Sequence, residues 1–210
     1  MSETANPPAS GTADEAERHR TRTRKHKAVV DAKIAAATID KGLLLVITGN
    51  GKGKSSSAFG MVARMLGYGR RAAVFQFIKG SDDIGERAFF ARQDGCSWNI
   101  CGEGFTWETQ NRERDIAAAR AGWAKARAAL ADPAIALVVL DELTYLVTYR
   151  YLDLDEIMPA ILARPPMQHV VITGRSAHQA LIDAADTVSS VQDVKHAFRA
   201  GVRAQEGIDR

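Results

Sequence analysis

A chain of 210 residues, 46% hydrophobic and 25% charged, has the composition of an ordinary soluble globular protein with room for one sizeable core. No apolar run approaches the roughly 20 residues of a membrane span, the polar N-terminus excludes a secretory signal, and Cys96 and Cys101 match no zinc spacing, so a reduced, cytoplasmic protein is expected. The net charge is only +3, but Arg18, Arg20, Arg22, Arg24, Lys25 and Lys27 crowd one segment. Such a run can meet nucleic acid or another anionic ligand. No aromatic residues interleave it for base stacking, and a solvated, partly helical arm is the simpler expectation.

Residues 1–15, rich in Ser, Thr, Pro and Ala, are expected to form a disordered tail, and residues 16–41 a charged arm with a helix over Ala16–Ala37. An α/β domain is expected over residues 42–210. Leu43–Ile47 is a continuous apolar run of strand length, which suits a parallel strand buried on both faces. A glycine-rich loop follows, then a helix over Ser55–Leu66 ended by Gly67 and Gly69. Further strands are expected at Ala72–Phe77, Ser97–Cys101, Ile135–Leu140, Val170–Thr173 and Thr187–Val191. Helices are expected at Glu86–Asp94, Gln110–Leu130, from Asp153 to Ala163 behind a capping-box pattern, and after Ser176 as a cap. Alternating strands and helices imply an α/β fold with a mainly parallel sheet flanked by helices. In such sheets ligands sit beyond the carboxyl ends of the strands, where Gly49–Ser55, Gln76–Gly80, Asp141-Glu142 and Gly174-Arg175 all fall.

The loop Gly49-Asn50-Gly51-Lys52-Gly53-Lys54-Ser55 has the chemistry of a triphosphate site. Glycines let backbone N–H groups converge on a dense anion, and the following helix adds its N-terminal partial charge. Lys54 supplies a full charge, the Ser55 hydroxyl can ligate Mg²⁺, and Ser56 continues the first helical turn. With Thr48 ahead of it, the segment fits G-x-x-x-x-G-K followed by Ser or Thr except at its first position. The strand before and the helix after complete the context of a P-loop NTPase-like (RecA-like) single domain. Asp141 ends the apolar run Leu137–Leu140 and is placed to hold a metal ion, as is Glu142; the sequence does not choose between them. Arg175, just past a strand end, suits a phosphate contact or a surface ion pair. His178 and His196 are expected to be structural, and Cys96 and Cys101 small, half-buried residues.

A P-loop names a ligand, not a reaction. Asp141-Glu142 alone would suit an ATPase, and with the basic arm a nucleic-acid-bound ATPase is the alternative. Three segments beyond the loop, Gln76-Phe77-Ile78-Lys79-Gly80, Gly104-Phe105-Thr106-Trp107-Glu108-Thr109-Gln110 and Asp141-Glu142-Leu143-Thr144-Tyr145, make the chain resemble the P-loop family of ATP:corrinoid adenosyltransferases. Ala163-Arg164-Pro165, Ile172-Thr173-Gly174-Arg175, Lys195-His196-Ala197-Phe198 and Gly207-Ile208-Asp209 extend the resemblance, in order, from about Gly42 to the C-terminus. The family often has Thr where Ser55 stands, and an aromatic residue where this chain has Arg210. The first fifteen or so residues carry no recognised match.

The resemblance implies transfer of the 5′-deoxyadenosyl group of ATP to the Co(I) of a reduced corrinoid, with triphosphate leaving. It also implies Mg²⁺ or Mn²⁺, a homodimer, and reduced flavodoxin or a similar flavoprotein as electron donor, without nucleic acid or membrane. It places Phe105 and Trp107 against the lower face of the corrin, where they displace the axial ligand and ease reduction of Co(II); without it they would be core aromatics. It places Arg64 near the nucleotide, gives Arg175 a corrinoid contact as an alternative to a phosphate, and lets the basic N-terminal segment serve as an active-site lid. The preferred corrinoid, an early diamide intermediate or salvaged cobinamide or cobalamin, is left open.

Overall fold

The computed structural model describes residues 11–78, 85–102 and 111–209, and falls into two compact units, Met1–Asp40 and Lys41–Arg210. The first is built on one helix, α1 (Gly11–Ala36), about 39 Å long at 1.5 Å per residue. It begins at Gly11 rather than the expected Ala16, because Asp14 stands in the first turn, where the helix dipole favours it, and pairs with Arg18 one turn on. Lys27 pairs with Asp31 in the same way at 2.5 Å. The helix has no apolar stripe: Val29, Val30 and Ile34 are 56%, 38% and 67% exposed.

The second unit is a six-stranded, all-parallel sheet built from β1 (Leu44–Thr48), β2 (Arg71–Gln76), β3 (Cys96–Ile100), β4 (Ile135–Asp141), β5 (His169–Thr173) and β6 (Thr187–Ser190), in the order β3-β2-β4-β5-β1-β6. The flanking helices are α2 (Lys54–Gly67), α3 (Gly85–Phe90), α4 (Arg112–Ala131), α5 (Leu143–Thr148), α6 (Leu154–Leu162) and α7 (Gln179–Ala184). This is the α/β, P-loop NTPase-like architecture expected.

The continuous apolar runs have a simple cause. Alternate residues of each central strand serve opposite faces, and both faces are covered. Val138 and Leu140 join Val46, Phe75, Val170 and Ile172 against Trp123 and Leu130 of α4 and Ile157 and Ile161 of α6. Leu137 and Val139 join Ile47, Val74 and Val171 against Ala58, Phe59 and Val62 of α2 and Phe90 of α3. Each such fully buried Leu, Ile or Phe contributes roughly 1.5–3 kcal/mol.

Most expected boundaries fall within two residues of the observed ones. Two caps differ. Asp153 precedes α6 but its side chain makes no capping bond; only its carbonyl accepts, from Glu156 and Ile157 N–H at 3.1 and 3.2 Å. Ser176 does not cap α7, because it takes a left-handed φ of 50° and the chain turns again before the helix begins. His178 caps instead, its Nδ1 accepting the Ala180 N–H at 3.2 Å. The expected third helix is shorter, ending at Phe90 rather than Asp94. Sequence patterning assigned no element to α5, whose Thr, Tyr and Val residues favour strands, nor to the 3-10 turn Ala197–Ala200.

Candidate functional site

The sheet order sets the site. β6 lies beside β1, and β5 separates β1 from β4, so the glycine loop and Asp141 stand two strands apart, roughly 10 Å across the sheet. The loop itself is pinned from the β6 side. Val191 N–H donates to the Thr48 carbonyl and Gly51 N–H to the Val191 carbonyl, both at 2.8 Å. A Cβ on Gly49 would stand 2.4 Å from the Val191 carbonyl oxygen, and one on Gly51 2.4 Å from that of Gln192. Gly49 and Gly53 also hold φ of 99° and 116°, which side chains disfavour. Thr48, at the position where glycine is usual, uses its hydroxyl oxygen to accept the Ala177 N–H at 3.3 Å, tying the end of β1 to the segment after β5.

Lys54 opens α2 and folds back to donate to the Gly51 carbonyl at 2.7 Å. Within the helix the first bond is Ser57 N–H to the Gly53 carbonyl at 2.9 Å, so the N–H groups of Ser55 and Ser56 have no intrahelical acceptor and point out of the helix start. The Gly51 N–H, by contrast, is committed to Val191.

These residues open into a cleft of about 790 Å³ that Asn50–Ser56 line together with Glu142, Arg175, Phe59, Phe89 and the C-terminal residues Asp193, His196 and Gly207–Asp209. That volume suits a nucleotide-sized ligand. Asp141 and Glu142 take different positions. Asp141 is completely buried, its Oδ1 accepting from the Thr173 hydroxyl at 2.6 Å and its Oδ2 from the Gln76 amide at 3.1 Å. Glu142 lines the cleft, in a left-handed conformation with φ 62°. Burial pushes the neighbouring Tyr145 phenol up, an effect opposed by the positive charge of Arg175.

The C-terminal segment was not anticipated as part of the site. Lys52 pairs with Asp209 at 2.8 Å, and the carboxylate also accepts the Gln205 N–H at 2.9 Å. Both contacts hold the Asp209 carboxyl below its usual range. The signal was the short Gly207-Ile208-Asp209 turn, a motif with no local hint of where it docks. His196 also lines the cleft, but its Nδ1 caps the 3-10 turn by accepting the Phe198 N–H.

Of the residues singled out from sequence, Asn50, Gly51, Lys52, Gly53, Lys54, Ser55, Ser56, Glu142 and Arg175 are brought together around the cleft, with Gly49 in the tight turn that enters the loop. Asp141 lies behind them. Arg64 does not join them. It is exposed in the last turn of α2, ten residues from Lys54 and thus about 15 Å along the axis. Phe105 and Trp107 lie outside the described residues. Cys96 is half-buried, whereas Cys101 is fully buried and its thiol is pushed up to about 11 by that burial, the setting of an inert thiol. Among the described residues no three His, Cys, Asp or Glu side chains cluster as a metal cage, and no helix is long and apolar enough to cross a membrane.

Comparison with known proteins gives this geometry a context. A corrinoid adenosyltransferase of Pseudomonas aeruginosa is 57% identical over 194 residues, 92% of this chain and 96% of the relative. The corrinoid adenosyltransferase CobA of Salmonella typhimurium is 51% identical over 92% of this chain and 98% of its own length, and one from a Sinorhizobium species is 43% identical over 91% of each. A model described as the N-terminal part of Cob(I)alamin adenosyltransferase matches residues 1–34, so the opening residues do carry a match, contrary to the sequence reading. The model described as ATP:corrinoid adenosyltransferase BtuR/CobO/CobP matches residues 40–209, the whole α/β domain with its cleft, and the chain belongs to that family.

Proposed function

We propose that this enzyme transfers the 5′-deoxyadenosyl group of ATP to the Co(I) centre of a reduced corrinoid, in the formation or salvage of adenosylated cobalamins. The observation that carries the reading is the cleft, which joins a glycine-rich phosphate loop to Glu142 and Arg175 in a chain of this family. The cobalt electron pair attacks the ribose 5′ carbon, the carbon–oxygen bond breaks, and its electrons leave on triphosphate. No protein nucleophile is needed. The chain's task is to align the two substrates and to stabilise charge on the departing triphosphate. Lys54 and the N–H groups of Ser55 and Ser56 surround the place where that charge grows.

The oxygen donors Ser55 and Glu142, which line one cleft, fit a small hard cation completed by phosphate oxygens and water. Mg²⁺ or Mn²⁺ bound there would neutralise charge on the triphosphate. Asp141 acts from behind. Arg175 contacts a phosphate or the corrin periphery. Phe105 and Trp107 exclude water and ligands from the lower corrin face, as the family resemblance implies. The basic N-terminal arm contributes to corrinoid binding. A homodimer, a cytoplasmic location and a flavodoxin-like reductant belong to the same proposal.

The test incubates the protein with ATP, Mg²⁺ and chemically reduced cobalamin, cobinamide or a diamide intermediate. The expected result is a light-sensitive adenosylated product with one triphosphate per cobalt–carbon bond. ADP and phosphate with no alkylated corrinoid would overturn the proposal.

A further inference from the structure

One chain of hydrogen bonds links four neighbouring strands, from the middle of β3 to the carboxyl ends of β2, β4 and β5. Trp98 of β3 donates its indole N–H to Oε1 of Gln76 in β2 at 3.0 Å. Gln76 donates through Nε2 to Oδ2 of Asp141 at the end of β4 at 3.1 Å. From β5, the Thr173 hydroxyl donates to Oδ1 of Asp141 at 2.6 Å and accepts the backbone N–H of Glu142 at 2.9 Å.

The direction of every bond is fixed by chemistry. An indole N–H can only donate, so it holds the Gln76 amide with its oxygen toward Trp98 and its NH₂ toward Asp141. A backbone N–H can only donate, so the Thr173 hydroxyl must spend its proton on Asp141. Gln76, Asp141 and Thr173 are 1%, 0% and 0% exposed, so water cannot substitute for a lost partner without rearrangement. The chain ends at Glu142, the acidic residue that lines the cleft and that keeps a left-handed backbone of φ 62°. Such a conformation persists at a residue with a Cβ only when its surroundings hold it.

We infer that Trp98 and Gln76 are positioning residues which, through Asp141 and Thr173, hold Glu142 at the cleft edge to meet a nucleotide-bound divalent cation. The inference rests on reading the cleft as an ATP–metal site. It gives the Asp141-Glu142 pair a division of labour: Asp141 is the buried junction of the relay, and Glu142 is its working end. Trp98 is suited to the part because its ring is already locked, parallel to Phe90 at 5.6 Å and tilted against Phe59 at 4.9 Å.

The test uses the full chain and isothermal titration with ATP, without and with Mg²⁺. Trp98→Phe keeps a ring between Phe59 and Phe90 while removing the N–H and part of the indole's volume; Gln76→Met keeps length and removes the amide. Thr173→Val removes the hydroxyl, and Thr173→Ser returns it. Each of the first three variants is expected to bind ATP as the native chain does without the ion, and to lose about three- to tenfold of the ion-dependent gain in affinity; Thr173→Ser should recover it. No ion-dependent gain in the native chain overturns the reading of the cleft and the relay with it. A gain kept in full by the variants, or an affinity that falls equally with and without the ion, overturns the relay alone. Should Trp98→Phe fail to fold, the comparison of Thr173→Val with Thr173→Ser decides by the same criterion.

Discussion

The six basic side chains from Arg18 to Lys27 and the two lysines of the phosphate loop carry the same charge in opposite settings. Along α1 the described side chains are exposed on every side, and Arg18 and Lys27 meet only acids one turn away. Ion pairs of that kind are worth little in water. In the loop, Lys54 is held to a carbonyl of its own turn and Lys52 to a carboxylate 157 positions later in the chain. A cation held in place beside inward-pointing N–H groups is an anion site; a row of solvated cations is a surface. The density of charge in the sequence is higher in the arm, and the chemistry we propose is centred on the loop.

The comparison breaks hardest at Lys54. Lys54→Ala removes the one full charge at the start of α2, and adenosyl transfer is expected to fall about a hundredfold or more, on the scale of losing a preorganised transition-state donor. The quantity to follow is triphosphate released per adenosylated corrinoid. A fall in affinity for ATP alone, with turnover at saturation untouched, would make Lys54 a ground-state binder instead. Next come the glycines. Gly49→Ala or Gly51→Ala drives a methyl into the backbone of Val191 or Gln192, and a loss of about 1–3 kcal/mol in unfolding free energy is expected, with ATP binding lost as the loop shifts. Gly53→Ala meets no atom within 4 Å and costs only the strained φ, about 1–2 kcal/mol. Denaturant melts of the three variants would separate crowding from strain.

How much of this was legible in the sequence follows from where each contact is made. The β1 run, the loop and the apolar strand ending at Asp141 are local patterns, and local patterns reach the page intact. The brace on the loop from Val191 and Gln192 exists because β6 pairs with β1, a neighbour relation between segments some 140 residues apart that no local pattern encodes. Nor does composition say that Glu142, rather than Asp141, reaches the cleft; that depends on a single left-handed residue after β4. Arg64 is a different lesson. Ten residues of helix at 1.5 Å each already set it far from Lys54, so its separation from the cleft was available by arithmetic, whatever a resemblance implied.

A smaller effect is expected at the Lys52–Asp209 pair, which lies between the two extremes because it ties a loop lysine to an exposed turn. Lys52 and the Gln205 N–H lower the Asp209 carboxyl below its ordinary value of 3.8. A depressed carboxyl contributes its link fully above that value and loses it as pH falls through the lower, folded-state value. Hydrogen exchange at residues 201–209 should therefore be independent of pH-driven opening near neutrality and show it only in acid, and Asp209→Asn should remove that acid transition. The same variant takes one negative charge from the cleft, and ATP is expected to bind about two- to threefold tighter. An acid transition retained in Asp209→Asn would assign the opening to another group.

The smallest effect is expected in the arm. Removing residues 1–37 leaves the loop, the Val191 brace and the relay to Glu142 untouched, since all lie within Lys41–Arg210. ATP affinity and the melting temperature of the α/β domain should not change. If the basic side chains attract the amide- and carboxylate-bearing periphery of a corrinoid, the KM for the corrinoid should rise a few-fold, on the order of two to five, and more at low ionic strength than at high. The dependence on salt is the discriminating reading. Charges as solvated as those of α1 act through a screened field, so a KM change that ignores salt would point to packing by Val29, Val30 or Ile34 instead. No change in corrinoid KM at any ionic strength would leave the cleft as the whole of the binding machinery and reduce the arm's positive charge to a solvated surface.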